Sequence, residues 1–253
     1  NFDEEFLRNS LFRALLDPYL TSRNNNNRAD LLELLRTVDF FFPDTINIPV
    51  NNKNKKTFKL DQIAPANSIT HFAHDALGDV IATKQLAKLI SQRKPTFWHS
   101  FLEGSNKSLV YKVLSEEKIV FFCQTFYGKT TAISGSFLLN HPVYKFPVLF
   151  DLNFDPRELV ELNLRDLKDV YTGGQRFLKF VKANKGPILL TKNKIESSWF
   201  FNSININEFQ KRSEILANAT TFKQNLASML LDIAEESKQE KELSGSQEDI
   251  MAE

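Results

Sequence analysis

The pattern of apolar residues changes near residue 95, and this change constrains the fold more than any other feature. Before it, apolar residues recur at helical spacing, which predicts amphipathic helices. These predicted helices cover residues 3–16, 30–38, 58–63 and 76–91. After it, runs of β-branched and aromatic residues between turn-forming residues predict β-strands. The predicted strands cover residues 118–123, 131–139, 147–151 and 187–190. The sequence therefore predicts a mixed α/β chain with a boundary near Pro95.

Shorter segments complete this interpretation. Residues 51–56 are polar and basic, which indicates a hairpin or loop. Short helices are expected at 97–102 and 107–114, and helical spacing returns at 158–171 and 207–235. Residues 236–253 are polar, and we expect them to form a mobile tail.

Composition narrows the possible functions. The chain has 253 residues and is 42% hydrophobic, enough for one large domain or two small ones. With 32 Lys+Arg against 31 Asp+Glu, it has no global basic field, although a local basic groove remains compatible with this balance. Cys123 is the only cysteine, so an intrachain disulfide is excluded and a reducing cytoplasm is favoured. No apolar run reaches membrane-spanning length, and we expect a cytoplasmic monomer without a membrane partner.

The stretch AHDALGDV at residues 73–80 carries the most chemistry. His74 precedes Asp79 by five positions, where a polar run meets a helix-compatible apolar one. A carboxylate can hold a hard cation while an imidazole, which titrates near neutral pH, takes a proton from an attacking water. The pair therefore suits metal-assisted hydrolysis. The alternative is a solvent-facing pair that caps a helix.

Asp3 is the second candidate acid. It lies at the start of the first predicted helix and is followed by Glu4 and Glu5. An N-cap or a first-turn acid stabilised by the helix dipole is an equally ordinary role for it.

Several motifs occur together in one order: NFDEEFLRN at 1–9, DPY at 17–19, RADLL at 28–32, FKL at 58–60, AN at 66–67 and AHDALGDVIAT at 73–83. This ordered set resembles the bacterial exodeoxyribonuclease I family, which belongs to the DEDDh group of 3′-to-5′ exonucleases. Segments at 141–142, 148–152, 167–172, 187–189 and 207–235 extend the resemblance over nearly the whole chain.

The resemblance implies three parts. Residues 1–95 would be the latter part of a ribonuclease H-like exonuclease domain, 96–205 an SH3-like β domain, and 206–253 the start of a helical region. It also implies that Asp3 and Asp79 are ligands of two Mg²⁺ ions, with His74 as the general base. Two such ions would stabilise the attacking and leaving oxygens of the phosphodiester.

The chain departs from the family pattern in one respect. The first motif of the group, Asp-x-Glu on a strand, would lie before Asn1, and no acid after Asp79 replaces it. We therefore expect the chain to be a fragment that is inactive by itself.

Nucleic-acid contacts are expected from aromatic and basic residues after residue 95. Tyr127 and Trp199 could stack on unpaired bases, and Lys129 and Arg176 could meet backbone phosphates. For the phenylalanines of this region, packing in a β core is the more ordinary role.

The sequence thus predicts an exonuclease acting on single-stranded DNA. Two alternatives stay open: a non-catalytic single-strand-binding module and an RNA-directed exonuclease. The resemblance also implies single-stranded DNA-binding protein as a partner, bound through basic residues by its acidic tail. Phe42 stands at one of those basic positions, which weakens this expectation.

Overall fold

The first part of the chain is helical, as expected. The computed structural model describes residues 2–23, 26–71 and 75–250, with side chains described over 4–13 in the first helix and up to residue 239 in the last. Six helices occur here: α1 Phe2–Arg13, α2 Leu31–Phe41, α3 Leu60–Ala66, α4 Ala76–Arg93, α5 Pro95–Gly104 and α6 Lys107–Glu116.

A four-stranded antiparallel sheet follows, with its strands in sequence order. The strands are β1 Val120–Phe126, β2 Lys129–Asn140, β3 Pro147–Asp151 and β4 Leu178–Phe180. The β1–β2 hairpin is in register from Val120, opposite Gly135, to Phe126, opposite Lys129, so its turn contains two residues. The mixed α/β class is therefore confirmed.

Helices complete the structure: α7 Pro156–Leu159, α8 Leu164–Thr172, α9 Lys192–Ile195, α10 Trp199–Ser203, α11 Ile206–Asn218 and α12 Thr220–Ile250. None of the helices over the described residues is long and apolar enough to cross a bilayer.

Polar side chains define several helix starts. The Asp30 carboxylate accepts a hydrogen bond from the Leu32 amide at 2.8 Å, which begins α2. Asp75 accepts from the Gly78 amide at 2.9 Å and begins α4 in the same way. Each cap satisfies an amide that the helix itself leaves without a partner. The cap at Asp75 fixes the first turn that carries Asp79.

The main core joins residues from both sides of residue 95. Helix α2 packs on β1 and β2, and the Phe200 ring contacts those of Phe41 and Phe121 at centroid distances of 5.5 and 6.3 Å. All these elements contribute to one buried apolar cluster, and a smaller cluster lies between α6 and the sheet. The division into parts at residues 95 and 205 stays a prediction.

Several boundaries differ from the expectations. The strand expected at 187–190 is wrong, because only Leu190 pairs, in an isolated bridge with Phe121. The strand β4 was missed because three residues are too short for a periodic signal. The helix expected at 158–171 is divided into α7 and α8, and the one expected at 207–235 is divided at Ala219. Helix α12 continues to Ile250 through most of the polar residues 236–253, whose mobility stays a prediction.

Candidate functional sites

Asp79 lies in the first turn of α4. Its amide donates to the Asp75 carbonyl at 2.9 Å, so its backbone is fixed by the helix. Its side chain is 48% exposed, and a carboxylate in a first turn is stabilised by the helix dipole. Asp79 is thus an accessible anion on a rigid element.

His71 contacts this carboxylate, which the sequence did not reveal. Its Nε2 lies 2.6 Å from Asp79 Oδ1, and the His71 side chain is only 3% exposed. A buried ring in this position fixes the rotamer of the carboxylate. His71 lies in the segment before α4 and not on the helix that carries Asp79, so no repeat within one element brings the pair together.

The other two predicted catalytic residues have no described side chain. His74 lies outside the described residues, and Asp3 lies in α1, in the part whose side chains are not described. Their roles as general base and metal ligand stay predictions.

An apolar pocket of about 490 Å³ adjoins Asp79. Its walls include Leu31 of α2, Val80 of α4, and Trp98 and Phe101 of α5. The surface of the first turns of α4 is also apolar, since Leu77 and Val80 there are 66% and 64% exposed.

The described residues by themselves do not fit a pair of Mg²⁺ ions. No group of three or more His, Cys, Asp or Glu side chains that could hold a metal ion occurs among them. Mg²⁺ requires several oxygen ligands, and Asp79 supplies one carboxylate whose Oδ1 already faces His71. Over this part of the chain, Asp79 is therefore a single candidate ligand.

A larger cleft of about 990 Å³ lies elsewhere, between α2, the 51–59 loop and the tip of the β1–β2 hairpin. It brings together three of the four residues predicted to bind nucleic acid: Tyr127, Lys129 and Trp199. Arg176 is not among its lining residues, and its guanidinium instead stacks 5.6 Å from the centre of the Tyr171 ring. The cleft also contains cations that the sequence alone did not single out.

The cleft is strongly basic. Its lining contains one carboxylate, that of Asp39, and five cationic side chains. The cations are Arg36, Lys55, Lys56, Lys59 and Lys129. The carboxylate is neutralised locally, since Lys56 Nζ lies 2.7 and 2.8 Å from the two Asp39 oxygens. Arg36 pairs with Glu33 at 2.7 Å. The other three lysines make no ion pair with any described residue, so they are available to an anion.

Two aromatic side chains of the cleft are held very differently. The Trp199 indole N–H donates to the Phe40 carbonyl, and its ring packs 5.3 Å from the Phe40 ring. Trp199 is nevertheless 50% exposed, so one face of a fixed ring is open. Tyr127 is fully exposed at the hairpin tip.

Cys123 lines a separate pocket of about 340 Å³ that also contains Phe126. Burial raises the pKa of the Cys123 thiol far above its ordinary value, although a hydrogen bond with Thr37 acts in the opposite direction. A protonated, buried thiol is a poor nucleophile, so this pocket does not form a thiolate site.

No protein-family model matches the chain. Curated relatives do match it. Exodeoxyribonuclease I of Buchnera aphidicola subsp. Baizongia pistaciae is 31% identical over 248 residues, which cover 92% of this chain and 51% of the relative. Exodeoxyribonuclease I of Escherichia coli K12 is 32% identical over 209 residues, which cover 76% and 44%.

Solved structures agree with these relatives. Exonuclease I from Methylocaldum szegediense superposes with a TM-score of 0.71 at 26% identity, over 90% of this chain and 52% of that one. E. coli exonuclease I in complex with a dA16 oligonucleotide gives a TM-score of 0.67 at 27% identity, over the same shares of the two chains.

Both the sequence and the fold are thus similar to those of bacterial exonucleases. Over most of its own length, the chain is similar to members of the exodeoxyribonuclease I family. It spans about half the length of the curated relatives it matches. The family resemblance drawn from the ordered motifs is therefore confirmed.

Proposed function

We propose that this chain belongs to a 3′-to-5′ exonuclease that degrades single-stranded DNA by two-metal phosphodiester hydrolysis. The curated relatives are named exodeoxyribonuclease I, and E. coli exonuclease I has been solved with dA16 and dT13 oligonucleotides. The observation that carries the proposal is the basic cleft, which combines unpaired lysines with aromatic rings. Unpaired DNA offers phosphates for the first and base faces for the second.

In this proposal Asp79 is a metal ligand, supported by Asp3, and His74 is the general base. Two Mg²⁺ ions, when bound, would stabilise the charge that develops on the attacking and leaving oxygens. His71 would hold the Asp79 carboxylate in one orientation through its 2.6 Å contact. Because the described residues contain no metal-holding group of three or more ligands, the chain alone is expected to digest DNA poorly.

Digestion of a 5′-labelled single-stranded oligonucleotide in Mg²⁺ buffer tests this function. The chain is assayed alone and after fusion to the segment of the Buchnera relative that it does not span. We expect little digestion by the chain alone and stepwise 3′ shortening by the fusion. In the fusion, Asp79→Asn or His74→Ala should abolish the shortening.

Asp61→Asn is the matched control, since Asp61 is an exposed first-turn acid of α3 outside both candidate sites. It should leave digestion by the fusion unchanged. Digestion that persists in both Asp79→Asn and His74→Ala would contradict the assigned site.

A second candidate function is a non-catalytic single-strand-binding module. It is favoured by the contrast between a basic, aromatic cleft and the lack of a metal-ligand group over the described side chains. Tight, salt-sensitive oligonucleotide binding in EDTA, together with no digestion by the fusion, would support this function over the first.

An RNA-directed exonuclease is distinguished by competition. Unlabelled DNA and RNA oligonucleotides of one sequence compete for digestion of the labelled DNA by the fusion. We expect DNA to compete better than RNA, and a stronger effect of RNA would reverse the substrate assignment.

Single-stranded DNA-binding protein is the proposed protein partner, in the cytoplasm. A complex of exonuclease I with SSB-Ct is among the similar solved structures. Phe42 is buried and its hydrocarbon side chain carries no charge, but Lys94 Nζ lies 4.5 Å from the centre of its ring. A cation is therefore retained beside this position. Lys94→Gln should weaken capture of an acidic tail peptide, and unchanged capture would remove Lys94 from the interface.

A further inference from the structure

The tip of the β1–β2 hairpin has an unusual residue in its turn. Phe126 pairs with Lys129, so the turn consists of Tyr127 and Gly128. Both have positive φ, 48° and 76°, as in the type I′ turns that favour Asn-Gly. Gly128 fits this conformation, whereas a bulky residue in the left-handed region costs about 1–2 kcal/mol. Backbone preference therefore does not explain a tyrosine at position 127.

Packing does not explain it either. The Tyr127 side chain is fully exposed, and no hydrogen bond or ring contact joins it to a described residue. The hairpin is held below the tip by strand pairing and by a 3.0 Å contact between the hydroxyls of Thr125 and Thr130. The Tyr127 ring thus makes no contact with the described residues that would stabilise the fold. A residue that costs stability and makes no contact indicates a role in binding.

The surroundings of Tyr127 indicate what it binds. The ring stands at the edge of the basic cleft, together with Lys129, and the loop with Lys55 and Lys59 forms another part of the lining. These three lysines have no ion-pair partner among the described residues. An anion whose charges are spaced along a chain can meet all of them, and an exposed aromatic ring adds affinity only if that chain carries flat apolar faces. Unpaired nucleic acid combines a charge and a flat base in every repeat, whereas an acidic residue of a peptide supplies only the charge.

We propose that Tyr127 stacks on an unpaired base and makes this cleft selective for single strands. The lysines hold phosphates of either a single strand or a duplex, but the base faces of a duplex are already stacked on one another. Tyr127 therefore contributes only to single-strand binding. This inference rests on the proposed function, specifically on its single-strand-binding part.

The stacking role is tested by fluorescence anisotropy with labelled oligothymidylate in EDTA, which prevents digestion. Tyr127→Asn should reduce affinity roughly 5- to 100-fold, since stacking on one base contributes about that much. Tyr127→Phe keeps the ring and should bind like the parent chain. Affinity for a hairpin duplex of equal charge should not change in either variant.

Stability separates this role from a structural one. Asparagine suits a type I′ turn, so Tyr127→Asn should unfold in urea at the same or a higher denaturant concentration than the parent. A variant that folds as well as the parent but binds single strands less tightly can have lost only a binding contact. Equal single-strand affinity of Tyr127→Asn and the parent chain would overturn the proposal.

A probe of abasic deoxyribose phosphates shows whether the ring meets a base. The parent should bind this probe more weakly than oligothymidylate, and Tyr127→Asn should bind the two more nearly alike. If the parent binds both probes equally, the ring does not stack. Competition with oligoglutamate gives a further test. The proposal is wrong, and the cleft binds acidic peptides, if two results occur together: oligoglutamate displaces the DNA equally from the parent and from Tyr127→Asn, and Tyr127→Asn binds DNA as tightly as the parent.

These outcomes are distinct from failure of the proposed function. Loss of digestion in the fusion assay concerns Asp79 and His74 and leaves the Tyr127 result standing. Absence of any oligonucleotide binding would reject both.

Discussion

The Asp79 side and the sheet side of the molecule differ in how completely they bury apolar surface. On the sheet side, Phe121, Phe150 and Phe177 are fully buried, and the cleft is formed by described residues. In the helices before residue 95, Phe12 of α1 is 70% exposed, and Leu77, in the same first turn of α4 as Asp79, is 66% exposed.

This difference decides how each candidate site can be interpreted. Beside the sheet, packing accounts for the buried rings, so a fully exposed ring without a hydrogen bond or ring contact to a described residue, such as Tyr127, needs another explanation. Around Asp79, exposed apolar residues are common, so exposure by itself says little about function. There the informative feature is a buried polar contact, the one between His71 and Asp79.

The largest expected effect tests the difference in burial. Phe150→Ala should lower the free energy of unfolding by about 3–5 kcal/mol, because it leaves a cavity in a packed core. Phe12→Ala removes the same atoms from an exposed position, and it should change the free energy of unfolding by less than about 0.5 kcal/mol. Urea denaturation of both variants gives the comparison. Similar losses would show that α1 is packed as tightly as the sheet.

A smaller effect is expected at the buried contact beside Asp79. His71→Ala should cost about 1–3 kcal/mol, because it removes a buried ring and its hydrogen bond to the carboxylate. The matched control is His99→Ala on α5, where the histidine is exposed and the change should be near zero. Thermal or urea unfolding measures both variants. Equal stability of His71→Ala and the control would mean that the contact does not hold Asp79.

The smallest effect concerns ion pairs on the sheet side. Hydrogen bonding to Arg157, and then to Arg212, lowers the pKa of Glu208 below its ordinary value of 4.5. A lowered folded-state pKa stabilises the protein above the unfolded-state pKa, and this contribution is lost as pH falls through the folded-state value. Glu208→Gln should therefore be less stable than the parent near neutral pH. The difference in free energy of unfolding between the two proteins should shrink below pH 4.5.

Urea unfolding from about pH 7 to about pH 3 measures this convergence. Glu161→Gln serves as the control, since Glu161 is exposed and makes no ion pair with a described residue. A difference between Glu208→Gln and the parent that stays constant over this range would show that the Arg157 pair contributes nothing to stability.

Local signals predicted much of the secondary structure. Helix α4 follows from its apolar spacing, and the two strands of the β1–β2 hairpin follow from runs of β-branched and aromatic residues. Both depend on residues close in sequence. The strand expected at 187–190 failed because a short apolar run has no periodicity that distinguishes a paired strand from an extended segment with one bridge.

For the candidate sites as well, the sequence revealed local features but not contacts between distant residues. The sequence indicated Asp79, Tyr127, Lys129 and Trp199 as candidate site residues by residue type and motif. This was possible because the chemistry of a side chain follows from its residue type alone. The sequence contained no sign that Tyr127 and Trp199 share a cleft with Lys55 and Lys59, or that Arg176 lies outside that lining. Their separations along the chain are large and follow no repeat.

By itself, the sequence determined the family resemblance, the mixed α/β class and the identity of the candidate groups, since these depend on ordered motifs and local periodicity. Only the tertiary structure decided which groups meet. It placed His71 against Asp79, gathered the lysines of one loop beside the tip of a distant hairpin, and left Tyr127 without a packing partner among the described residues. The reason is physical: such contacts arise from the packing of elements far apart in the chain, and no local propensity encodes them.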